Sequence, residues 1–330
     1  MDRRDALVAL LALGAAAGPL AVRAQQSRDK TARIGILVAG SMAQRGHLEQ
    51  ALLEGLRDQG YVEGRNLIVE RRYADGRRER VPGFARELAD MKLDALVTSC
   101  TPSTQAARQA TGSTPIVMAA VADPVGQRLI ASLARPGANI TGLSSQAEDI
   151  LPKMMEYFSA VLPKATTVAV FAQGRSDVHP RMWVQLAPIA QGLNLKLVKI
   201  EVGSAAELPA AFDQALREKA GALLFLPDEP LFLTQRAPLI ELAARHRLPA
   251  FYGAREFVDD GGLMSYGENL RTAYRRAASY IGNLTRGAKP GDLPVEQPTK
   301  FELVINLKTA KALGLTIPQS ILVRADQVIQ

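Results

Sequence analysis

Short apolar runs alternate with stretches whose apolar residues recur every three to four positions along most of the chain. The first run, residues 34–39, is continuous and ends at Gly40, which is typical of a parallel strand buried on both faces. The next stretch places Leu48, Leu52 and Leu56 four residues apart, which predicts an amphipathic helix. The chain therefore begins its folded part with a predicted strand followed by a predicted helix.

The same order continues and then restarts. In the first half, further strands are predicted over residues 66–73, 94–98 and 115–119. In the second half, strands are predicted over residues 167–171, 195–200, 221–226 and 248–251. Repeated βα units of this kind form doubly wound parallel sheets with right-handed crossovers. We therefore predict an α/β fold of two similar doubly wound parallel-sheet lobes joined by a hinge.

Turn-rich segments suggest that the chain passes between these lobes more than once. Residues 134–142 separate the two repeats, and the Gly- and Pro-rich residues 286–298 precede a last strand over residues 301–305. Several crossings between similar lobes predict a hinged clamshell. The predicted first lobe is residues 30–141 with 266–298, and the second is residues 142–265 with 299–330.

The first 24 residues have the order of features typical of a secretory signal peptide. Arg3 and Arg4 precede an uncharged apolar stretch, residues 6–20, and a predicted cleavage site follows Ala24. The apolar stretch is shorter than the about 20 residues that a membrane-spanning helix needs. The arginine pair leaves twin-arginine export open as an alternative to the general route. We therefore predict a periplasmic protein from which residues 1–24 are removed.

The composition excludes several kinds of chemistry. The chain has 330 residues, is 47% hydrophobic and carries a formal net charge of +7, spread without a basic, aromatic-rich patch. The single cysteine, Cys100, excludes an internal disulfide and a cysteine-based zinc site. No nucleophile elbow, phosphate loop, dinucleotide fingerprint or HExxH motif is present. We therefore predict no cofactor, no metal, no catalytic residue and no nucleic-acid partner.

Candidate binding residues follow from the rule that ligands of parallel α/β sheets bind beyond the carboxyl ends of the strands. In the first lobe these positions carry hydroxyl groups, and Thr101 followed by Pro102 predicts a helix start that suits either capping or a small carboxylate. Asp228, after a strand of the second lobe, suits an ammonium group or a helix cap. The candidate ligand-binding residues are Ser41, Met42, Ser99, Thr101, Ser103, Asp123, Asp228, Tyr252, Glu256 and Tyr266.

Some of these candidates have an equally plain structural role. Asp123 followed by Pro124 favours a helix cap with proline at the first helical position. Tyr252 and Tyr266 are candidates for an aromatic cleft wall, and a place in the hydrophobic core is the alternative for both. Glu256 is a weaker polar candidate.

Longer segments that run through nearly the whole mature chain carry a family resemblance. They are residues 134–142, 251–257, 261–267 and 301–315, followed by Ile317-Pro-Gln-Ser. These segments resemble the bacterial ABC-transporter substrate-binding proteins of the TrpX-like, tryptophan-binding group. The resemblance implies a type I periplasmic-binding fold, a membrane permease as partner and aromatic amino acids among the ligands. Cys100, where a small residue is expected, and Glu229 after Asp228 depart from the family's pattern.

The function predicted from the sequence is an extracytoplasmic solute-binding protein of an ABC importer. The hydroxyl groups of the first lobe would hold the carboxylate of an amino acid, Asp228 its ammonium group, and the two tyrosines its side chain. A secreted or periplasmic enzyme with a two-lobed α/β cleft is the alternative. A repressor-like sensor of the same fold would need a DNA-binding helix-turn-helix where the predicted signal peptide stands.

Overall fold

The computed structural model describes residues 31–228 and 230–330, so the predicted signal peptide and Glu229 lie outside the described residues. Within them, alternating strands and helices form two lobes, each built around one β-sheet. The predicted α/β class is confirmed. No helix of these residues is long and apolar enough to cross a membrane.

The first half of the chain forms a five-stranded parallel sheet. Its strands are β1 (Ala32–Val38), β2 (Leu67–Tyr73), β3 (Ala95–Thr98), β4 (Ile116–Ala122) and β5 (Ile140–Ser145). Its helices are α1 (Met42–Asp58), α2 (Val81–Ala89) and α3 (Thr101–Ala110). The strand order is β2-β1-β3-β4-β5. From Ile34 onward strand β1 is apolar because both of its faces are covered: Ile34 packs with Leu48 of α1, and Leu37 packs with Leu88 of α2.

The second half forms a seven-stranded sheet. Its strands are β6 (Thr167–Gln173), β7 (Lys196–Val202), β8 (Ala222–Phe225), β9 (Ala250–Tyr252), β10 (Met264–Glu268), β11 (Phe301–Asn306) and β12 (Gln327–Ile329). The helices from here on are α4 (Leu151–Val161), α5 (His179–Gly192), α6 (Leu208–Arg217), α7 (Pro230–Thr234), α8 (Arg236–Arg245), α9 (Arg255–Asp259), α10 (Leu270–Thr285), α11 (Leu307–Ala312) and α12 (Gln319–Leu322). The strand order is β12-β11-β10-β9-β8-β6-β7, with only the β10–β11 pair antiparallel among the pairs described.

The chain crosses between the two sheets after β5, after β10 and before β11. Helix α10 follows β10 of the second sheet, but its buried face packs on α1 of the first lobe. Strand pairing places residues 142–145 in the first sheet and residues 266–268 in the second. The division expected from the sequence cuts both strands, because each strand completes its hydrogen-bonded pairing before the chain crosses. The lobe boundaries themselves stay a prediction.

Candidate ligand-binding site

A cavity lies between the two lobes, beyond the carboxyl ends of strands from both sheets. The cavity has a volume of about 90 Å³. Its wall is mostly apolar and includes Ala120, Ala147, Ile150, Leu226, Leu233, Leu270 and Phe301. Its polar and ionisable lining residues are Arg45, Ser99, Cys100, Ser145, Gln146, Asp228 and Glu268. This is where the strand-end rule predicts a ligand in a parallel α/β fold.

Arg45 brings a buried positive charge to this cavity. It lies in the first turn of α1, and its side chain is 6% exposed. Among the described residues, none forms a hydrogen bond or an ion pair with the Arg45 guanidinium. Sequence reasoning missed Arg45, although it stands three residues before Leu48 on the buried face of α1. A charged residue on the apolar face of a predicted helix could have identified Arg45 as a candidate binding residue, because charged residues are rarely buried without a partner.

The Glu256 carboxylate interacts with the charge of Arg45. It is 8% exposed, and its Oε1 atom lies 3.3 Å from Nε2 of His47, in the other lobe. Burial acts to raise the pKa of Glu256, but the hydrogen bond from His47 and the nearby charges of His47 and Arg45 outweigh it and lower that pKa. Its Oε2 atom has no hydrogen-bond partner among the described residues. Glu256 therefore stays ionised beside the cavity without contributing to its lining.

Two carboxyl groups line the cavity from the second lobe. Asp228 follows β8 in a left-handed backbone conformation, with φ 61°, and accepts a hydrogen bond of 2.9 Å from the Thr101 hydroxyl. Glu268 is the last residue of β10, and none of the described residues bonds to its carboxyl group. Burial, followed by the charges of Asp228 and Glu256, raises the pKa of Glu268 to about 8. Glu268 is a second residue that sequence reasoning missed; the strand-end rule applied to residues 261–267 would have selected it.

The cavity wall beside Glu268 depends on a close backbone approach. A Cβ atom built on Gly267 would lie 1.9 Å from the carbonyl oxygen of Gly253, which itself lines the cavity. Only glycine fits at position 267 without moving the neighbouring strand. The two glycines thereby bring β9 and β10 together where Glu268 enters the cavity.

The hydroxyl-rich loop after β3 lies at the cavity in the first lobe. Ser99 and Cys100 line the cavity, while Thr101 and Ser103 are buried behind them. The Ser103 hydroxyl lies 3.3 Å from the Cys100 sulfur, and burial raises the pKa of the Cys100 thiol. The predicted helix cap at Thr101 is wrong by one residue: Cys100 is the N-cap, and the Thr101 side chain donates to Asp228 instead of capping.

Three further candidates of the first lobe do not line the cavity. Ser41 is the N-cap residue of α1 and donates to a glutamine side chain in the first turn of that helix. Met42 is 53% exposed. The predicted cap at Asp123 is wrong because no helix begins there; the Asp123 carboxylate accepts a hydrogen bond of 2.8 Å from the Gly126 amide in a turn and forms an ion pair with Arg181 of α5.

Tyr252 lies in the core of the second lobe, and Tyr266 is half-buried and packs against that core; a core position was the alternative role for both. Tyr252 is 1% exposed, with ring centroids 5.2 Å from Phe225 and 4.3 Å from Phe257. Tyr266 packs edge-on against Tyr157, with ring centroids 5.3 Å apart. Neither ring is part of the cavity lining. The aromatic ring that does line it belongs to Phe301, at the start of β11.

Polar contacts join the two lobes across the cleft. Each links an element of the first lobe to an element of the second, so the lobes are closed over the cavity. The pairs include Thr101 with Asp228, His47 with Glu256, Asp123 with Arg181, Gln105 with Asp177, and Gln44 with the Thr234 carbonyl.

The amino-acid sequence matches a known protein family over most of its length. Residues 33–329 match the family described as ABC transporter substrate binding protein. The chain belongs to this family. A relative, the tyrosine-binding protein of Clostridioides difficile (strain R20291), is 27% identical over 270 residues, which cover 81% of this chain and 76% of that protein. The predicted family is confirmed, and with it the solute-binding role.

Solved structures show the same fold. A conserved domain protein from Vibrio cholerae is 31% identical with a TM-score of 0.83, and the match covers 91% of this chain and 100% of that one. An ABC domain from Streptococcus pneumoniae in complex with L-Trp is 26% identical with a TM-score of 0.80, covering 90% and 100%. A ligand-free, open substrate-binding protein from Clostridium difficile has a TM-score of 0.65 at 23% identity, covering 91% and 99%. The type I periplasmic-binding fold is therefore confirmed for this ABC substrate-binding protein, whose family is extracytoplasmic and binds solutes.

Proposed function

We propose that this substrate-binding protein captures a free amino acid between its lobes, with aromatic amino acids as the first candidates. The observation that carries the proposal is the buried guanidinium of Arg45, which lines the same cavity as the Asp228 carboxylate. An amino acid carries one carboxylate and one ammonium group. Both groups need partners of opposite charge when they leave water, and the cavity offers one of each sign.

The Arg45 guanidinium is the proposed partner of the ligand carboxylate. Its planar fork can donate two parallel N–H bonds to a carboxylate, an arrangement that lysine does not offer. A carboxylate at this position would give the buried cation the hydrogen-bonded partner that the described residues do not supply. The Ser99 hydroxyl lines the cavity as well and is a second proposed donor.

The apolar wall is the proposed contact for the ligand side chain. Ile150, Leu226, Leu233 and Phe301 offer aliphatic and aromatic surface, which removes apolar ligand area from water. Two family relatives support an aromatic side chain: one is named a tyrosine-binding protein, and another was solved in complex with L-Trp. The roles proposed from the sequence for Tyr252 and Tyr266 pass to Phe301 and its aliphatic neighbours.

The transport cycle we propose uses lobe closure. A ligand that contacts both lobes favours the closed form by the difference in its affinity for the closed and open forms. Residues 1–24 would direct export to the periplasm, and the closed form would deliver its ligand, chemically unchanged, to the permease of an ABC importer. Residues 142–145 and 266–268 mark where the proposed lobes hinge.

The first experiment is to identify the bound molecule. The mature protein is purified, denatured and extracted, and the extract is analysed by mass spectrometry; an amino acid is expected. Turnover of that molecule during incubation with fresh protein would instead indicate the alternative, an enzyme. Titration calorimetry of ligand-stripped protein then compares L-tyrosine and L-tryptophan with tyramine, which lacks the carboxylate. Tyramine should bind roughly 100-fold more weakly than L-tyrosine, since the buried Arg45 charge would lose its partner. Equal binding of tyramine and L-tyrosine, or binding of neither amino acid, would overturn the proposal.

A further inference from the structure

Glu268 stands apart from the other polar residues of the cavity. It ends β10, directly before the chain crosses to α10 of the other lobe, and its carboxyl group lines the cavity. Asp228, from the loop after β8, already accepts the Thr101 hydroxyl across the cleft. None of the described residues donates a hydrogen bond to Glu268 or forms an ion pair with it. A carboxyl group thus lines the cavity without a hydrogen-bond donor among the described residues.

We propose that Glu268 joins Asp228 in binding the ammonium group of the ligand and becomes ionised only when the ligand is bound, so that capture of an amino acid releases a proton. This inference rests on the proposed function, because it requires a ligand with an ammonium group. When the ammonium group binds, the neutral Glu268 carboxyl group loses one proton to the solvent. The resulting carboxylate forms an ion pair with the ammonium group. No covalent bond to the ligand forms or breaks.

The charged groups around Glu268 favour its neutral form before a ligand binds. Asp228 and Glu256 both place negative charge near it, from the loop after β8 and from α9. On the paired strand β11, Glu302 is already engaged by Arg255 at 3.2 Å and by the Asn269 side chain at 3.0 Å. The positive charge of Arg45 contributes to lowering the pKa of Glu256.

An ammonium group bound by Asp228 and Glu268 reverses this balance. The pKa of Glu268 is raised to about 8 by burial and by its two acidic neighbours, so the group is protonated at neutral pH. An opposite charge in contact with a carboxyl group lowers its pKa by roughly 1–3 units. With a lowering of about 2 units, binding at pH 7 should release about 0.8 proton.

The sign of the pH dependence follows from the same argument. The empty site holds more protons than the occupied site, so affinity rises as the pH rises. For a pKa that moves from about 8 to about 6, affinity should increase roughly 25-fold between pH 6 and pH 8. A cavity with permanently ionised carboxylates would show no such increase over this range.

The test counts protons. Calorimetric titrations with L-tyrosine or L-tryptophan at pH 7, in phosphate and in Tris, give the number of protons released from the difference between the two apparent enthalpies. About 0.8 is expected for the unmodified protein and close to zero for Glu268→Gln, which should also lose the pH dependence of affinity. Glu302→Gln, the same change on the paired strand but outside the cavity, should behave like the unmodified protein.

The outcomes separate this inference from the proposed function. Amino-acid binding with less than about 0.2 proton released by the unmodified protein would refute the inference and leave the proposed function standing, a result that needs no variant. Equal proton release by the unmodified protein and Glu268→Gln would assign the proton to another group and would also refute it. Failure of every amino acid to bind would refute the proposed function itself.

Discussion

Replacing Arg45 with methionine separates a binding role from a structural one. Methionine keeps an unbranched apolar side chain of comparable length on the buried face of α1 but carries no charge. Under the proposed function, Arg45→Met leaves the ligand carboxylate in a closed cavity without its charged donor. Truncating one member of a buried, hydrogen-bonded charge pair costs roughly 2–5 kcal/mol of binding free energy. A central value of about 3 kcal/mol corresponds to an affinity loss on the order of 100-fold.

The expected effect on stability is much smaller, because two contributions oppose each other. Removing a buried cation that has no hydrogen-bonded partner among the described residues favours the folded state. Losing the attraction between Arg45 and Glu256 disfavours it, although Glu256 keeps its contact with His47. We therefore expect the free energy of unfolding of the ligand-free protein to change by less than about 1 kcal/mol, where a broken buried ion pair would cost roughly 3–5 kcal/mol.

The assay pairs two measurements on the same preparations. Calorimetry with the extracted ligand, or with L-tyrosine, gives the affinity, and urea unfolding of ligand-free protein gives the stability. Arg57→Met is the matched control, since Arg57 lies in the last turn of the same helix and is exposed. An affinity loss below about threefold would refute Arg45 as the carboxylate partner. A stability loss above about 3 kcal/mol would show that Arg45 holds the fold together instead.

Two further predictions test residues of the second lobe. Tyr252→Phe should change the affinity for the ligand by no more than about twofold. Tyr252→Ala should lower the free energy of unfolding by roughly 3–5 kcal/mol, because the ring is stacked in the core rather than at the cavity. Calorimetry and urea unfolding measure both effects. His179 is 1% exposed; its Nδ1 atom accepts a hydrogen bond from the Gln173 amide, and its Nε2 atom donates one to the Pro227 carbonyl. Burial lowers the pKa of His179 to about 4, although the hydrogen bond to Pro227 acts to raise it. Because the unfolded state takes up a proton near pH 6.5 and the folded state does not, stability should fall by about 3 kcal/mol between pH 6.5 and pH 4, a loss that is absent in His179→Gln.

The controls for these two predictions come from the same chain. A tenfold weaker affinity of Tyr252→Phe would mean that the Tyr252 hydroxyl contacts the ligand, and it would refute a purely structural role for this residue. For His179, the comparison is His246→Gln, which alters a partly exposed histidine stacked on Phe212. That variant should keep the acid-dependent loss of stability. If His179→Gln keeps it as well, the loss belongs to the carboxylates and not to His179.

Much of the fold follows from apolar periodicity. The continuous run of β1 and the four-residue spacing of Leu48, Leu52 and Leu56 predict the first βα unit because a doubly covered strand and an amphipathic helix bury different patterns. The position of the cavity also follows, since parallel strands end at a common edge. Asp228 was found by this rule.

The residues that sequence reasoning misplaced depend on tertiary contacts. Side chains on a strand alternate between faces, so a one-residue difference in register decides whether Tyr252 faces the core or the cleft. The helix after β3 begins one residue away from the expected cap because Thr101 bonds to a residue 127 positions later, in the other lobe. Arg45 and Glu268 become noticeable only in the folded structure, where both line the cavity and no described residue bonds to either charged group.

The crossings between the lobes also form part of the cavity wall. Ser145 and Gln146 line the cavity after β5, Glu268 at the end of β10, and Phe301 at the start of β11. In the proposed transport cycle, a ligand would therefore touch the segments about which the lobes rotate, where a small displacement produces a large one at the outer rims. A solute that is slightly too bulky would hold the rims apart and leave pairs such as Asp123 with Arg181 unformed. The angle between the lobes would therefore depend on the shape of the ligand. Selection among solutes could then occur when the lobes close, even if several solutes bind the open cleft.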